Sequence, residues 1–587
     1  MQPDNSTPKP VLHTRPAPTV DAPLPPPPAD SPIPPASDLR PDPAKHTPTR
    51  KKSKWPIIII LLILLAGAGG AFFYPNIQLL LVGINPNEYK VSLYTAAQDG
   101  NAEKVRLLLN AGADVNWTNA DTYNSTPLIE AAANGHTECV RLLLAAPGID
   151  VNKGNQTGST PLIFAAFNGH TECVRLLLAA PGININQANQ DGNTPLIKAA
   201  RNVHTECVRL LLAAPGIDSR DFPPLCVAAI TNDPSKINQL LADGDNPNQQ
   251  DNINSCTPLY WAAASGHTEC VRLLLAAPGI NINQADQDGN TPLICAAANG
   301  HTECVRLLLT APGININQAN QNGPTPLSCA AYNGHKECVR LLLATPDIDV
   351  NKADQYGETP LLRAACFGHT ECVRLLLAAP GININQAAQS GYTPLIAAAC
   401  FGHKECVRLL LAAPGININQ AAQSGYTPLI FAASKGHTEC VSLLLAAPGI
   451  DINQANQDGF TPLIVAADKG HTECVSLLLA APGIYINQAN QHGETPLLCA
   501  AVFGHKECVR LLLAAPGINI NQAAQDGYTP LFCAASKGHT ECVRLLLAAP
   551  GIDINQAAQD GTTPLSAATA NGHTECANLI RAAGGRR

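Results

Sequence analysis

Gly391-Tyr392-Thr393-Pro394-Leu395-Ile396-Ala397-Ala398-Ala399-Cys400-Phe401-Gly402-His403-Lys404-Glu405-Cys406-Val407-Arg408-Leu409-Leu410-Leu411-Ala412-Ala413-Pro414-Gly415-Ile416-Asn417-Ile418-Asn419 reads as two short helices and a connector. Thr393 is a helix N-cap, and Pro394 fits the first turn, where a missing amide donor matters little. The first helix runs through Ala399, and Gly402 ends it with a residue that tolerates a left-handed backbone. His403-Lys404-Glu405 opens a second helix whose packing face is Cys406, Val407, Leu409, Leu410 and Leu411. Pro414-Gly415 stops it, and Ile416 to Asn419 alternates as a short extended finger.

Working outward, Thr-Pro-Leu occurs thirteen times, at Thr126, Thr160 and Thr194 and then every 34 residues from Thr257 to Thr563. A period of this size marks a stacked array, in which each unit buries its apolar face only against its neighbours. Counting irregular copies gives 15 units. The fifth is aberrant: Pro223-Pro224-Leu225 replaces Thr-Pro-Leu, Asp233-Pro234-Ser235 replaces Gly-His, and Val203 replaces the turn glycine just upstream. A stacking defect or bend is expected near residues 203–225.

Helix, turn, helix and finger, with Thr-Pro-Leu, Gly-His and Leu-Leu-Leu in these places, resembles the ankyrin repeat. The resemblance implies an all-α solenoid of helix-turn-helix repeats with short hairpin fingers, non-catalytic and binding other proteins through its concave face. Two departures stand out. The position after Leu usually holds Ile rather than the His of the family signature, so the inter-repeat hydrogen bond of that His is not expected. Ala-Ala-Pro-Gly-Ile also lengthens the connection to each finger by one residue.

Ahead of the repeats lie residues 1–54, with 16 prolines and no aromatic residue, a composition expected to stay disordered. An uncharged apolar run follows. Ile57 to Tyr74 is 18 residues, about 27 Å as a helix, enough to cross a bilayer. Residues 55–74 are therefore read as one transmembrane helix, with Trp55 and Tyr74 at its interfaces. Ala66 with Gly70 and Gly67 with Ala71 have the small-residue spacing that lets such helices dimerise. Four positive charges among residues 50–54, against Lys90 alone between 75 and 95, place the tail in the cytoplasm and the array on the periplasmic or extracellular side. The competing reading makes Ala66-Gly67-Ala68 a signal-cleavage site and the array a secreted effector. Residues 75–92 are a connector, 93–202 hold repeats 1–4, 203–255 the junction and repeat 5, and 256–587 repeats 6–15.

Charged residues make up 14% of the chain and the net charge is −8, which argues against a nucleic-acid partner. The 21 cysteines are an odd number, and thirteen share one repeat position. Helices pack about 8–10 Å apart, too far for disulfides between equivalent positions, so these thiols read as small core residues. His-x-x-Cys recurs thirteen times without four convergent ligands, so His reads as a turn cap, Cys as packing, and no metal or cofactor is expected. Glu138 and Glu172 read as capping acids at the same helix starts. The ionisable residues are copied from unit to unit, which marks architecture rather than a catalytic site.

Function is sought where units differ: the residue before Thr-Pro-Leu and the two before Gly-His. Through units nine to fourteen these are Phe367, Tyr392, Phe401, Tyr426, Lys435, Phe460, Lys469, Phe503, Tyr528 and Lys537, while only 4% of the chain is aromatic. Aromatic anchors commonly dominate binding energy, so these residues are the expected protein-binding patch, roughly 60 Å long at ~10 Å per unit. Tyr260 and Trp261 are further candidates. A spacer with no dedicated partner would instead show unclustered variation at these positions.

Overall fold

The computed structural model describes residues 89–586. The Pro-rich tail, the transmembrane reading of 55–74 and connector residues 75–88 lie outside the described residues. Among the described residues no helix is long and apolar enough to cross a membrane.

Among the described residues, thirty α-helices form fifteen pairs, numbered here in chain order from Tyr89–Gln98 with Ala102–Asn110 to Pro564–Ala570 with Thr574–Ala582. Pair 10 shows why the sequence folds this way. Thr393 is extended, and its hydroxyl accepts from Ile396 N at 3.2 Å, with Pro394 in the first turn. The helix Pro394–Cys400 is buried along its whole length, because the equivalent helices of pairs 9 and 11 pack on either side of it. Gly402, at φ +76°, turns the chain into Lys404–Leu411. That second helix buries Cys406, Val407 and Leu410, while Leu409 and Leu411 are only half-buried rather than full members of the packing face.

The sequence reading of His403 needs correction. It caps nothing with its side chain. Its Nε2 donates to the Cys366 carbonyl of pair 9 at 2.9 Å, which fixes the Nε2–H tautomer, since a carbonyl can only accept. The histidines of Gly-His thus supply inter-repeat hydrogen bonds that the substituted signature position does not. Glu138 and Glu172 do stand in the first turn of their helices, as read, but without a capping-box bond. They pair with Arg141 and Arg175 three residues on, on the exposed helix face.

The fingers are loops. Among the described residues no strand forms, and Asn119 with Ser125 makes an isolated antiparallel bridge. The finger of pair 10 closes on Ala388 N to Tyr392 O (2.9 Å) and Gly391 N to Ala388 O (2.8 Å), with Gly391 at φ +82° making the turn. Side chains tie neighbouring fingers instead. Asn385 Nδ2 donates to Gly415 O and its Oδ1 accepts from Asn417 N, both at 2.8 Å. Gln457 Nε2 donates to Gln423 O at 2.6 Å, and Gln491 and Gln525 repeat the pattern.

The described chain divides into two compact units between Gln321 and Asn322. In residues 89–321 the regular stacking is interrupted between pairs 4 and 5. The first helices Pro195–Arg201 and Pro224–Ile230 barely touch, and the second helix Thr205–Leu212 lies against Pro224–Ile230 instead. Three substitutions account for this. Val203 adopts φ +52°, a conformation unfavourable for a β-branched residue. Asp233 caps its own helix through Lys236 N (2.9 Å) where a histidine would reach back to pair 4. Asn254 Nδ2 takes the Ala200 carbonyl at 2.8 Å. Tyr260 and Trp261 follow as core residues rather than surface candidates, both fully buried, with Trp261 Nε1 donating to Asp251 Oδ2 at 2.8 Å. Residues 322–586 contain pairs 8 to 15 in regular succession.

Candidate protein-binding face

The expected patch lies wholly in residues 322–586, and the structure sorts its members into two groups. Phe367, Phe401 and Phe503 stand at the same place in pairs 9, 10 and 13, just past the first helix, and remain 46%, 46% and 45% exposed. Each ring stacks on the histidine two residues later: Phe401 on His403 at 6.4 Å and 27°, Phe367 and Phe503 on His369 and His505 likewise. The imidazoles are themselves fixed by their carbonyl bonds, so the phenylalanines are held in place before any partner arrives. Lys435 and Lys469 occupy the same position in pairs 11 and 12 and are exposed, with Lys469 Nζ 3.5 Å from Asp468 Oδ2; Lys537 of pair 14 is half-buried.

The residues before Thr-Pro-Leu behave differently, and their assignment to an accessible patch is corrected. Tyr392, Tyr426 and Phe460 are only 4%, 4% and 6% exposed. Tyr392 and Tyr426 enclose Phe431 from two successive fingers, each ring 5.1 Å from it. Tyr528 is half-buried and stacks on Phe532 at 4.4 Å and 7°. Phe431 and Phe532 are the residues that the sequence reading missed. Phe431 holds the site that Ala397 fills in pair 10, and Phe532 holds the site of Ile396, and each ring meets a tyrosine from the fingers. Tyr485, 64% exposed, was missed as well; it replaces the Asn or Asp found there in neighbouring units.

The face offers no reactive thiol. None of the 21 cysteines is in a disulfide, and all but half-buried Cys329 are buried. Burial raises the Cys406 thiol pKa, only partly offset by Thr370, whose hydroxyl lies 3.9 Å from the sulfur. Among the described residues no three His, Cys, Asp or Glu side chains converge as metal ligands would.

A family model described as ankyrin repeats, in three copies, matches residues 65–155, 147–221, 225–320, 312–388, 381–456, 448–524 and 516–585. The chain belongs to the ankyrin-repeat family. Its first match overlaps the apolar run of residues 55–74. Among solved structures the ankyrin array is similar to the crystal structure of the human ASB11 ankyrin repeat domain, at 30% identity, over 39% of this chain and 99% of that one, with a TM-score of 0.35. No curated protein matches the ankyrin chain.

Proposed function

We propose that the chain is a membrane-anchored ankyrin scaffold that docks another protein, without chemical turnover, along the face presenting Phe367, Phe401 and Phe503. The observation carrying this reading is the repetition of a half-exposed phenylalanine, backed by a fixed histidine, at equivalent places in three pairs. A rigid aromatic needs little ordering on binding, which favours affinity. Ankyrin repeats in general bind proteins, which supports the same reading. Anchoring through residues 55–74, with the array beyond the membrane, rests on the apolar run and its flanking charges.

A photo-crosslinking residue placed at Phe401, and in a second chain at Arg408 on the exposed second helix, tests the docking face in intact cells. Adducts to a discrete protein are expected from position 401 and not from 408. Equal labelling from both positions refutes it. Deleting residues 55–74 is expected to move the chain from the membrane to the soluble fraction.

A further inference from the structure

Repeats that share a backbone allow one unit to be read through another. In pair 9, Arg363 stands four residues after Thr359, and its side chain is only 5% exposed. Its guanidinium bonds Asp354, lies 3.4 Å from Glu358, and sits under Tyr332, with Cζ 5.3 Å from the ring centre. In repeat terms these neighbours come five and one residues before Thr359 and seven after Thr325.

The same three positions around pair 13 are Asn490, Glu494 and Asp468, while the arginine is replaced by Cys499. An acceptor thus stands at each equivalent of the three positions, two of them carboxylates, and the place of Arg363 itself holds no cation. Glu494 Oε2 is oriented by Asn490 Nδ2 at 2.7 Å. The Asp468 side chain is 7% exposed, and Lys469 Nζ stands 3.5 Å away, beyond the ~2.7–2.9 Å of a charge-assisted hydrogen bond. Burial first, and then the nearby carboxylates of Glu494 and Asp468, push the Cys499 thiol pKa up. A second, separate feature lies beside them. Tyr426 Oη and Asn456 Nδ2, on residues 4% and 6% exposed, have no hydrogen-bond partner. The neighbours of Tyr426 are Asn456 and the carboxylates of Asp458 and Asp468. Burial raises the Asp468 pKa, and Lys469 only partly offsets it.

We infer that the Asp468–Glu494 site receives the guanidinium of an arginine on the partner's docking segment, in the place that Arg363 fills from within the chain. This rests on the protein-docking reading. An arginine suits the place better than a lysine, because its planar fork can serve several acceptors at once.

N-acetyl-arginine amide is the probe, titrated into purified full-length chain and followed by NMR, with N-acetyl-citrulline amide as its uncharged match. Saturable binding of the arginine probe at millimolar concentration is expected, with citrulline about tenfold weaker or more. Asp468→Asn combined with Glu494→Gln is expected to abolish the difference. Cys499→Arg, which supplies the cation in cis, is expected to fold cooperatively and to exclude the probe. Equal binding of arginine and citrulline, probe binding that survives the double variant, or a Cys499→Arg chain that cannot fold each overturns the inference. If the probe fails while crosslinking from position 401 persists, this inference falls alone; loss of that crosslinking removes the docking reading beneath it.

Discussion

Gly402→Ala tests the joint between repeats most directly. Gly402 has φ +76°, and a Cβ there would stand 2.6 Å from His437 Nδ1, 2.8 Å from Cε1 and 3.0 Å from Cγ. Two separable terms follow. Placing a Cβ in the left-handed region costs about 1 kcal/mol or somewhat more. Displacing the imidazole breaks the 3.0 Å bond from His437 Nε2 to Cys400 O and leaves that carbonyl poorly paired, about 1–3 kcal/mol. The sum is about 2–4 kcal/mol. In a His437→Ala background the second term has already been lost, so Gly402→Ala should then cost only about 1 kcal/mol. Equilibrium urea unfolding of the four chains of this cycle gives the coupling directly, and amide exchange in pairs 10 and 11 locates the damage, since repeat stability is a sum of neighbour terms. Additivity within about 0.5 kcal/mol would show that glycine serves the backbone alone, and would remove the histidine clamp from the explanation.

The two groups of aromatic residues should separate by stability: Tyr426→Ser is expected to cost about 2–4 kcal/mol in urea unfolding, as large-to-small core changes do, and Phe401→Ala less than about 1 kcal/mol. Equal costs would contradict their burial. Acidification supplies a second check. His170, His204, His267, His403 and His539 are held below the ordinary imidazole pKa, by burial first. The unfolded chain therefore takes up protons near pH 6.5 while the folded chain does so only lower, so stability is full above that pH and falls as pH drops through it. The urea midpoint should decrease from pH 7.5 to 5.5, above the ordinary carboxylate range, and a rising midpoint would refute the reading. Thiol titration with an aromatic disulfide should be slow in the native chain and reach all 21 cysteines in denaturant; rapid native reaction of most of them would contradict a protonated, buried state.

The regular parts of this fold were legible because they are local. Thr393, Pro394 and Gly402 act on the residues beside them, and a repeat period shows where each helix begins. What the sequence hid acts between units. His403 looked like a cap because its partner, the Cys366 carbonyl, lies 37 residues back. Tyr392 and Tyr426 looked like surface residues because they vary from unit to unit, and variation does not distinguish an exposed site from a buried one whose neighbour varies with it. Their exposure is decided by Phe431, a bulky residue where pair 10 has Ala397. Phe401 belongs to the same pair as Tyr392, yet its ring, like that of Phe503 in pair 13, stays nearly half exposed.

This contrast narrows where a partner can be read. Asn385, Gln457 and His403 each hold a neighbouring unit by their own side chains, so they cannot change without loosening a joint. Tyr392 and Tyr426 are likewise tied to Phe431, which both rings enclose. The position two before His makes no such joint through its side chain in Phe401 or Phe503, whose rings rest on an imidazole already fixed in place. Substitution of Phe401 or Phe503 is expected to cost the array little, unlike that of Asn168, Asn299 and Asn571 at the same position, which donate to carbonyls of the preceding unit. If the docking reading holds, selection for a partner could act at Phe401 and Phe503 with little consequence for folding, whereas Phe367 also packs edge-on against Tyr332 of the preceding unit at 4.5 Å.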